Sequence, residues 1–499
     1  MPRQLILAAL LGGIGWMSGC QGPDDAAAFE RIERLQRQRA VVAPMAPGAA
    51  NGQPATQPAP AGPADGPLPE LTDSSRLGDY LAHAALNNAG LRAAFERWKA
   101  ALEKVPQVRA LPDPRFTYRY YIVEVETRVG PQRQGFALAQ TFPWFGKLAL
   151  RGDAAAQAAE AQRERFEAVK LALFFRVKDA YYEYYYLGRA IAILDDNIQL
   201  LKNLESVART RYKAATAAHS EVIRAQVELG KLDDRQRTLR DLRRPIVARL
   251  NAAMNRPPAA ELPWPKDLAE QNVAFRDADA LAWLEQDNPE LKALAHEIDR
   301  SRTGVALARK EYFPDVMLGV DYIDTGAARG GMARPSDSGN DPVIASVSVN
   351  LPIWWDKLAA GVREARYRHL FALHSRTEKL NDLRSRLELV RYNYRDAQRK
   401  IDLYRNTLVP KAVESIKASL TSFEDGKAGF LDVIDAERVM LEFQLSMERA
   451  LASRQQHLAE MEMLVGRQLP PAGNAATRPA VQEQGKPATR PATAPDQRR

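Results

Sequence analysis

The sequence predicts a mixed α/β membrane protein in which short amphipathic β-hairpins alternate with very long amphipathic helices. Three observations predict it. Two stretches alternate with period two in segments of about ten residues, the length and pattern of membrane β-strands. Two others carry an apolar 4,3,4,3 seam, the spacing of coiled-coil helices. The whole pattern is present twice, at an offset of about 200 to 210 residues.

Composition narrows the function. The chain has 499 residues, 45% of them apolar and 26% charged, with a net charge of +8, one Cys and six His. One Cys excludes a disulfide framework and any CxxC site. Beyond the first twenty residues no apolar run nears the roughly 18 residues of a spanning helix, which leaves a β-barrel as the route across a membrane. Lys and Arg are interleaved with Asp and Glu throughout, with no basic stripe, so nucleic acid is not an expected partner. There is no nucleophile elbow, phosphate loop or HExxH, so no enzyme activity and no cofactor are expected. His369 and His374, five apart, share no helix face and make no metal site.

Residues 1–19 read as a signal peptide: Arg3, an apolar stretch from Leu5 to Trp16, then Met17-Ser18-Gly19 before Cys20. This ending resembles the lipobox of bacterial lipoproteins, with Met17 in place of the usual Leu. It implies acylation (palmitate among the chains) at Cys20, and Gln21 after it favours the outer membrane. Residues 20–70 are a Pro/Ala-rich linker and 470–499 a disordered tail of similar composition, too poor in large apolar groups to offset ordering entropy.

Between them lie two matching halves. Tyr212 to Ile223 aligns without gaps to Phe423 to Ile434. Phe142-Pro143-Trp144-Phe145-Gly146-Lys147 matches Leu351-Pro352-Ile353-Trp354-Trp355-Asp356-Lys357 with one insertion, and Pro112-Asp113 matches Pro314-Asp315. The first half spans 71–256, with a β-hairpin at 114–142 and a helical hairpin at 147–254. A connecting segment covers 257–275. The second half spans 276–469, with a β-hairpin at 314–351 and a helical hairpin at 357–466.

The first long helix has its seam at Leu173, Val177, Ala180, Tyr184, Leu187, Ile191, Leu194, Ile198, Leu201, Glu205, Ala208 and Tyr212. The second repeats it from Leu380 through Leu387 and Tyr394 to Leu408, where Pro410 is expected to kink or break the helix. Its return helix reads Val433, Ala436, Met440, Phe443, Met447 and Ala450. In the strands, Phe116, Tyr118 and Tyr120 alternate with Thr117, Arg119 and Tyr121, and Val316, Leu318 and Val320 with Met317, Gly319 and Asp321. Residues 124–133 and 325–341 are expected to be exposed loops. Four strands are too few to close a barrel, so closure needs several chains.

This order of elements behind a lipobox resembles the TolC-type outer membrane efflux proteins, a likeness that covers roughly residues 71–469. The Phe142–Lys147 stretch is similar to the strand-to-helix junction in members serving metal-cation and drug efflux. The resemblance implies a homotrimer with a twelve-stranded barrel, four strands per chain, continued by a periplasmic α-helical coiled-coil tunnel. It also implies a passive exit duct for small toxic compounds or metal cations. Its partners would be outer membrane lipid, a periplasmic adaptor and an inner-membrane pump of the proton-driven resistance-nodulation-division type. The rival reading is a membrane-tethered periplasmic coiled-coil scaffold without channel activity.

Asp432 and Asp435 match the aspartates that ring the tip constriction of TolC itself. Three-fold symmetry would gather their carboxylates into a cation-attracting periplasmic gate. Both also suit the first turn of a helix, and the two readings stand side by side. The matching positions of the first half, Glu221 and Arg224, are candidates for pairing with neighbouring tips. Gly426, Lys427, Ala428 and Gly429, with Ala214, Ala215, Thr216 and Ala217, form two small-residue turns that would either admit an adaptor or simply turn tightly. Trp144, Phe145, Trp354 and Trp355 lie where strands give way to helices, as membrane-interface aromatics or as packing beneath the barrel.

Overall fold

The computed structural model describes residues 70–216, 218–266, 268, 273, 275–329 and 335–470. Cys20, the signal peptide, the linker up to residue 69, the tail from 471, part of the connecting segment, and Ala217 lie outside the described residues.

The described residues open with α1 (Leu77–Asn87), α2 (Ala89–Leu102) and the short α3 (Lys104–Arg109), then strands β1 (Arg115–Thr127) and β2 (Gly130–Phe142). The long α4 (Lys147–Lys213) and its return α5 (His219–Ala253) follow. The order recurs with α6 (Asp277–Asp287), α7 (Pro289–Lys310), β3 (Val316–Thr325), β4 (Val343–Val349) and α8 (Trp355–Leu403). After α8 a five-residue π segment, Tyr404–Leu408, leads into α9 (Val409–Glu424), and α10 (Phe430–Val465) returns. No helix among the described residues is long and apolar enough to cross a membrane.

At 67 residues, α4 is about 100 Å long. Its seam is buried at Leu173, Val177, Ala180, Tyr184, Leu187, Leu194, Ile198, Leu201 and Ala208, while Tyr212 at the tip is exposed. Tyrosines on and beside the seam reach further elements. Tyr181 meets Tyr80 edge-on at 5.2 Å, and Tyr184 stacks on Trp264 at 4.6 Å and donates to the Leu262 carbonyl at 2.9 Å.

Pro410 disturbs the second long helix locally, as expected: α8 ends at Leu403, and a five-residue π segment precedes α9. A proline lacks the N–H for the helical ladder and its ring crowds the carbonyl four residues back. The π segment just before it widens the turn and absorbs the misfit. Two other expectations need correction, and the first is the seam of the return helix, which is displaced. Val433 and Ala450 are buried, but the buried line between them runs through Ile434, Glu437, Leu441, Leu445 and Glu448. It shifts because α10 packs against both α4 and α8 and so needs more than one face. Residues 124–133 are not a loop. The two strands continue through them to a tight turn at Arg128-Val129, with a register shift between Tyr120 and Val125.

Both halves are pinned by an asparagine. Asn88 caps α2, accepting the Leu91 N–H at 2.9 Å, and donates to the Ala253 carbonyl at the end of α5, also at 2.9 Å. Asn288 caps α7 at 3.0 Å through the Leu291 N–H and donates to the Leu464 carbonyl at the end of α10 at 2.7 Å. One buried side chain thus satisfies a helix start and ties down a return helix.

Candidate functional site

The four strands form one antiparallel sheet in the order β1-β2-β3-β4. Its register decides which residues share a face. Phe116 lies opposite Leu138, Leu138 opposite Val320, and Val320 opposite Ala345. The next such row is Tyr118, Phe136, Tyr322 and Val343. The other face carries Arg115, Ala139, Gly319 and Ser346, then Thr117, Ala137, Asp321 and Ile344. One side is therefore aromatic and aliphatic, the other mostly small and polar. On the polar side Arg119 and Asp321 form an ion pair at 2.9 Å across β2. On the apolar side Phe116, Tyr118, Tyr120, Leu318, Val320, Val343 and Val347 are exposed. A sheet in water would cover such a face; one in hydrocarbon would present it.

Below the sheet the chain changes from strand to helix at a buried ion pair. Lys147, only 1% exposed, donates to Asp315 Oδ1 at 2.9 Å and to the Phe313 carbonyl at 3.0 Å, with Glu311 at 3.5 Å. Asp315 also accepts the Trp144 N–H at 2.8 Å. Burial pushes the Asp315 carboxyl up, but the Lys147 ammonium and the Trp144 N–H outweigh it and hold the carboxyl below its usual range. Trp144 stacks on Phe313 with centroids 5.4 Å apart and meets Phe145 edge-on. Trp144 is thus junction packing, whereas Phe145, Trp354 and Trp355 are exposed.

At the far end both helical turns meet in one apolar cluster that includes Phe423, Phe430, Val433, Val222 and Ala208. Arg211 stacks on the Phe423 ring at 4.2 Å and donates to the carbonyls of Phe423 and Glu424. It neutralises the free carbonyl end of α9 from the neighbouring hairpin. Ala215 has φ 56° at the position matching Gly426, with φ 73°. The two turns thus share a left-handed residue, and only the second has the glycine suited to it.

Asp432 accepts the Gly429 N–H at 2.9 Å, so the first-turn reading of this carboxylate is met within the chain. Asp435 pairs with Arg438 at 3.1 Å. Both carboxylates are exposed at the tip, as are Arg224, Lys427, Ala214, Ala215 and Thr216. Glu221, Ala428 and Gly429 are placed in the same two turns, with Glu221 half-buried. No ion pair joins Glu221 or Arg224 to Asp432 or Asp435 among the described residues.

The sequence reading missed the charge between the helices. Arg449 forms a bidentate pair with Glu183 at 2.7 and 3.0 Å and lies over the Tyr186 ring at 3.6 Å. Lys178 pairs with Glu462 at 2.5 Å, and Arg189 with Glu448 at 3.1 Å. Glu228 accepts from Arg438 at 2.5 and 3.0 Å, which holds its carboxyl below the usual range. Beside them Glu437 is fully buried at 0% exposure, and neither of its oxygens has a hydrogen-bond partner. Burial, with the Glu228 charge nearby, pushes its pKa up to about 7. The signal for such pairs is a charged residue at a seam position, as with Glu437 between Ile434 and Leu441. No cluster of metal-ligating side chains is formed among the described residues.

Residues 281–467, from α6 through the sheet to the end of α10, match the outer membrane efflux protein family. The chain is 21% identical over 401 residues to the cobalt-zinc-cadmium resistance protein CzcC of Cupriavidus metallidurans, covering 78% of this chain and 89% of that one. Its fold is that of the outer-membrane channel OprN, with a TM-score of 0.67 at 18% identity over 78% of this chain and 89% of that one. The outer membrane protein VceC from Vibrio cholerae is similar at a TM-score of 0.65 and 17% identity, over 79% and 96% of the two chains.

Proposed function

We propose that this chain is an outer membrane efflux protein, the exit duct of a tripartite export system and a passive conduit from an inner-membrane pump to the cell exterior. Three copies each give four strands to a twelve-stranded barrel, and the helical hairpins continue it as a periplasmic tunnel. Cys20 carries the lipid that anchors the chain to the outer membrane. The turns at 214–217 and 426–429 meet a periplasmic adaptor, which links the duct to a pump of the resistance-nodulation-division type. The likeness to CzcC favours divalent metal cations as cargo over other small toxic compounds. The observation that carries this reading is the sheet. One exposed apolar face, one small polar face and two open edges suit a segment of a barrel wall, fixed by a buried ion pair to helices about 100 Å long.

On this reading the tip carboxylates Asp432 and Asp435, with Glu221 and Arg224 from the first half, face one another across three copies and set the closed state. In planar bilayers the purified protein should conduct, and divalent cations should block it from the tip side. Asp432→Ala with Asp435→Ala should remove that block and raise the conductance. Unchanged conductance and block would leave Asp432 as a helix cap and Asp435 as the partner of Arg438.

A further inference from the structure

The boundary between β2 and β3 is closed by residues from both halves of the chain. Trp144 and Lys147 follow β2; Phe313 and Asp315 precede β3. Lys147 reaches Asp315 and the Phe313 carbonyl, and Trp144 covers Phe313. The sequence supplies the counterparts of all four at the sheet's outer strands. Trp354, Trp355 and Lys357 follow β4, while Leu111 and Asp113 precede β1.

Among the described residues these counterparts do not meet one another, and Trp355 touches only the Tyr312 ring of its own half, at 5.9 Å. Lys357 and Asp113 are both exposed, and no ion pair or hydrogen bond forms to either side chain among the described residues. Trp354 and Trp355 are 72% and 63% exposed, in contrast to half-buried Trp144. They flank β4 and β1, which lie at opposite edges of one sheet, so they cannot meet in a single copy.

We infer that they meet between copies: β4 of one copy pairs with β1 of the next in the register of the β2–β3 boundary, and Lys357 of the first copy binds Asp113 of the second. This rests on the barrel reading above and adds the register and the residues that set it. Within the chain Leu138 lies opposite Val320 and Phe136 opposite Tyr322. Shifted by the repeat offset, these pairs become Val347 opposite Tyr118 and Ala345 opposite Tyr120 of the next copy. All four lie on the apolar face, so the derived register keeps the face continuous; a one-residue slip would turn it inside out. The strands run antiparallel, as everywhere else in the sheet. Pairing also satisfies two rows of edge N–H and C=O groups that hydrocarbon would leave bare.

The test is oxidative cross-linking of protein extracted from membranes, with the parent chain and its Cys20 as baseline. Val347→Cys with Tyr118→Cys should give disulfide-linked multi-copy species, because directly opposite Cβ atoms lie within disulfide reach. Val347→Cys with Phe116→Cys, two residues off, should lose the cross-link. Asp113→Lys should lower the temperature at which the SDS-resistant complex dissociates, and adding Lys357→Asp should restore it. If the offset pair links instead, or the complex is multi-copy and neither pair links, the register is wrong and the inference fails alone. If neither pair links and the extracted protein is a monomer, the barrel reading fails with it.

Discussion

Replacing Lys147 with methionine is expected to destabilise the junction by about 3 kcal/mol, the scale for removing one partner of a buried ion pair. Methionine keeps most of the volume but leaves the Asp315 carboxylate with only the Trp144 N–H at 2.8 Å and no counter-charge at 2.9 Å. Asp315→Asn should do comparable damage from the other side, since it leaves an ammonium in a site 1% exposed. Glu311, at 3.5 Å and itself exposed, compensates little. The double variant should recover part of the loss, because the energy of the pair is then counted once. The readout is the temperature at which the detergent-extracted complex unfolds, together with the amount of folded protein reaching the membrane. Additive single-variant effects would mean that the two groups act separately.

Glu437→Gln is expected to remove a pH dependence. The unfolded chain ionises this carboxyl near 4.5, whereas the folded chain holds its proton to about 7. Through that window the folded state binds the extra proton, so stability falls as pH rises and levels off above about 7. The cost at pH 8 is on the order of 3 kcal/mol. The groups that set it are Glu228 on α5, which shares Arg438 and Lys231, and Arg438 on α10 itself. Melting curves at pH 5.5 and 8 should show the parent protein losing stability at the higher pH. The Gln variant should change less and exceed the parent at pH 8. Equal slopes in the two proteins would show that Glu437 is not the titrating group.

Much of this was legible because two periods dominate. The 4,3,4,3 spacing marks the buried seam of α4 from Leu173 to Ala208, and the alternation of Phe116, Tyr118 and Tyr120 marks one sheet face. The register was not legible, since period two shows which residues share a face and not which lie opposite. Residues 124–133 are polar yet form strand, because Glu126 and Gln132 are ladder residues opposite Pro131 and Val125. Interhelical pairs such as Arg449–Glu183 were hidden because any long helix carries charge, and only packing shows which charges face inward. The tip is the reverse case. Asp432 and Ala215 were found by internal alignment, and the geometry adds what position cannot, a cap bond for the first and a strained left-handed backbone for the second.

The central claim is that this sheet is one part of a wall completed by other copies. Native mass measurement of the detergent-extracted complex tests it most directly. The prediction is three copies of the chain in one SDS-resistant assembly that a salt wash does not release from the membrane. A monomer that salt releases would contradict it.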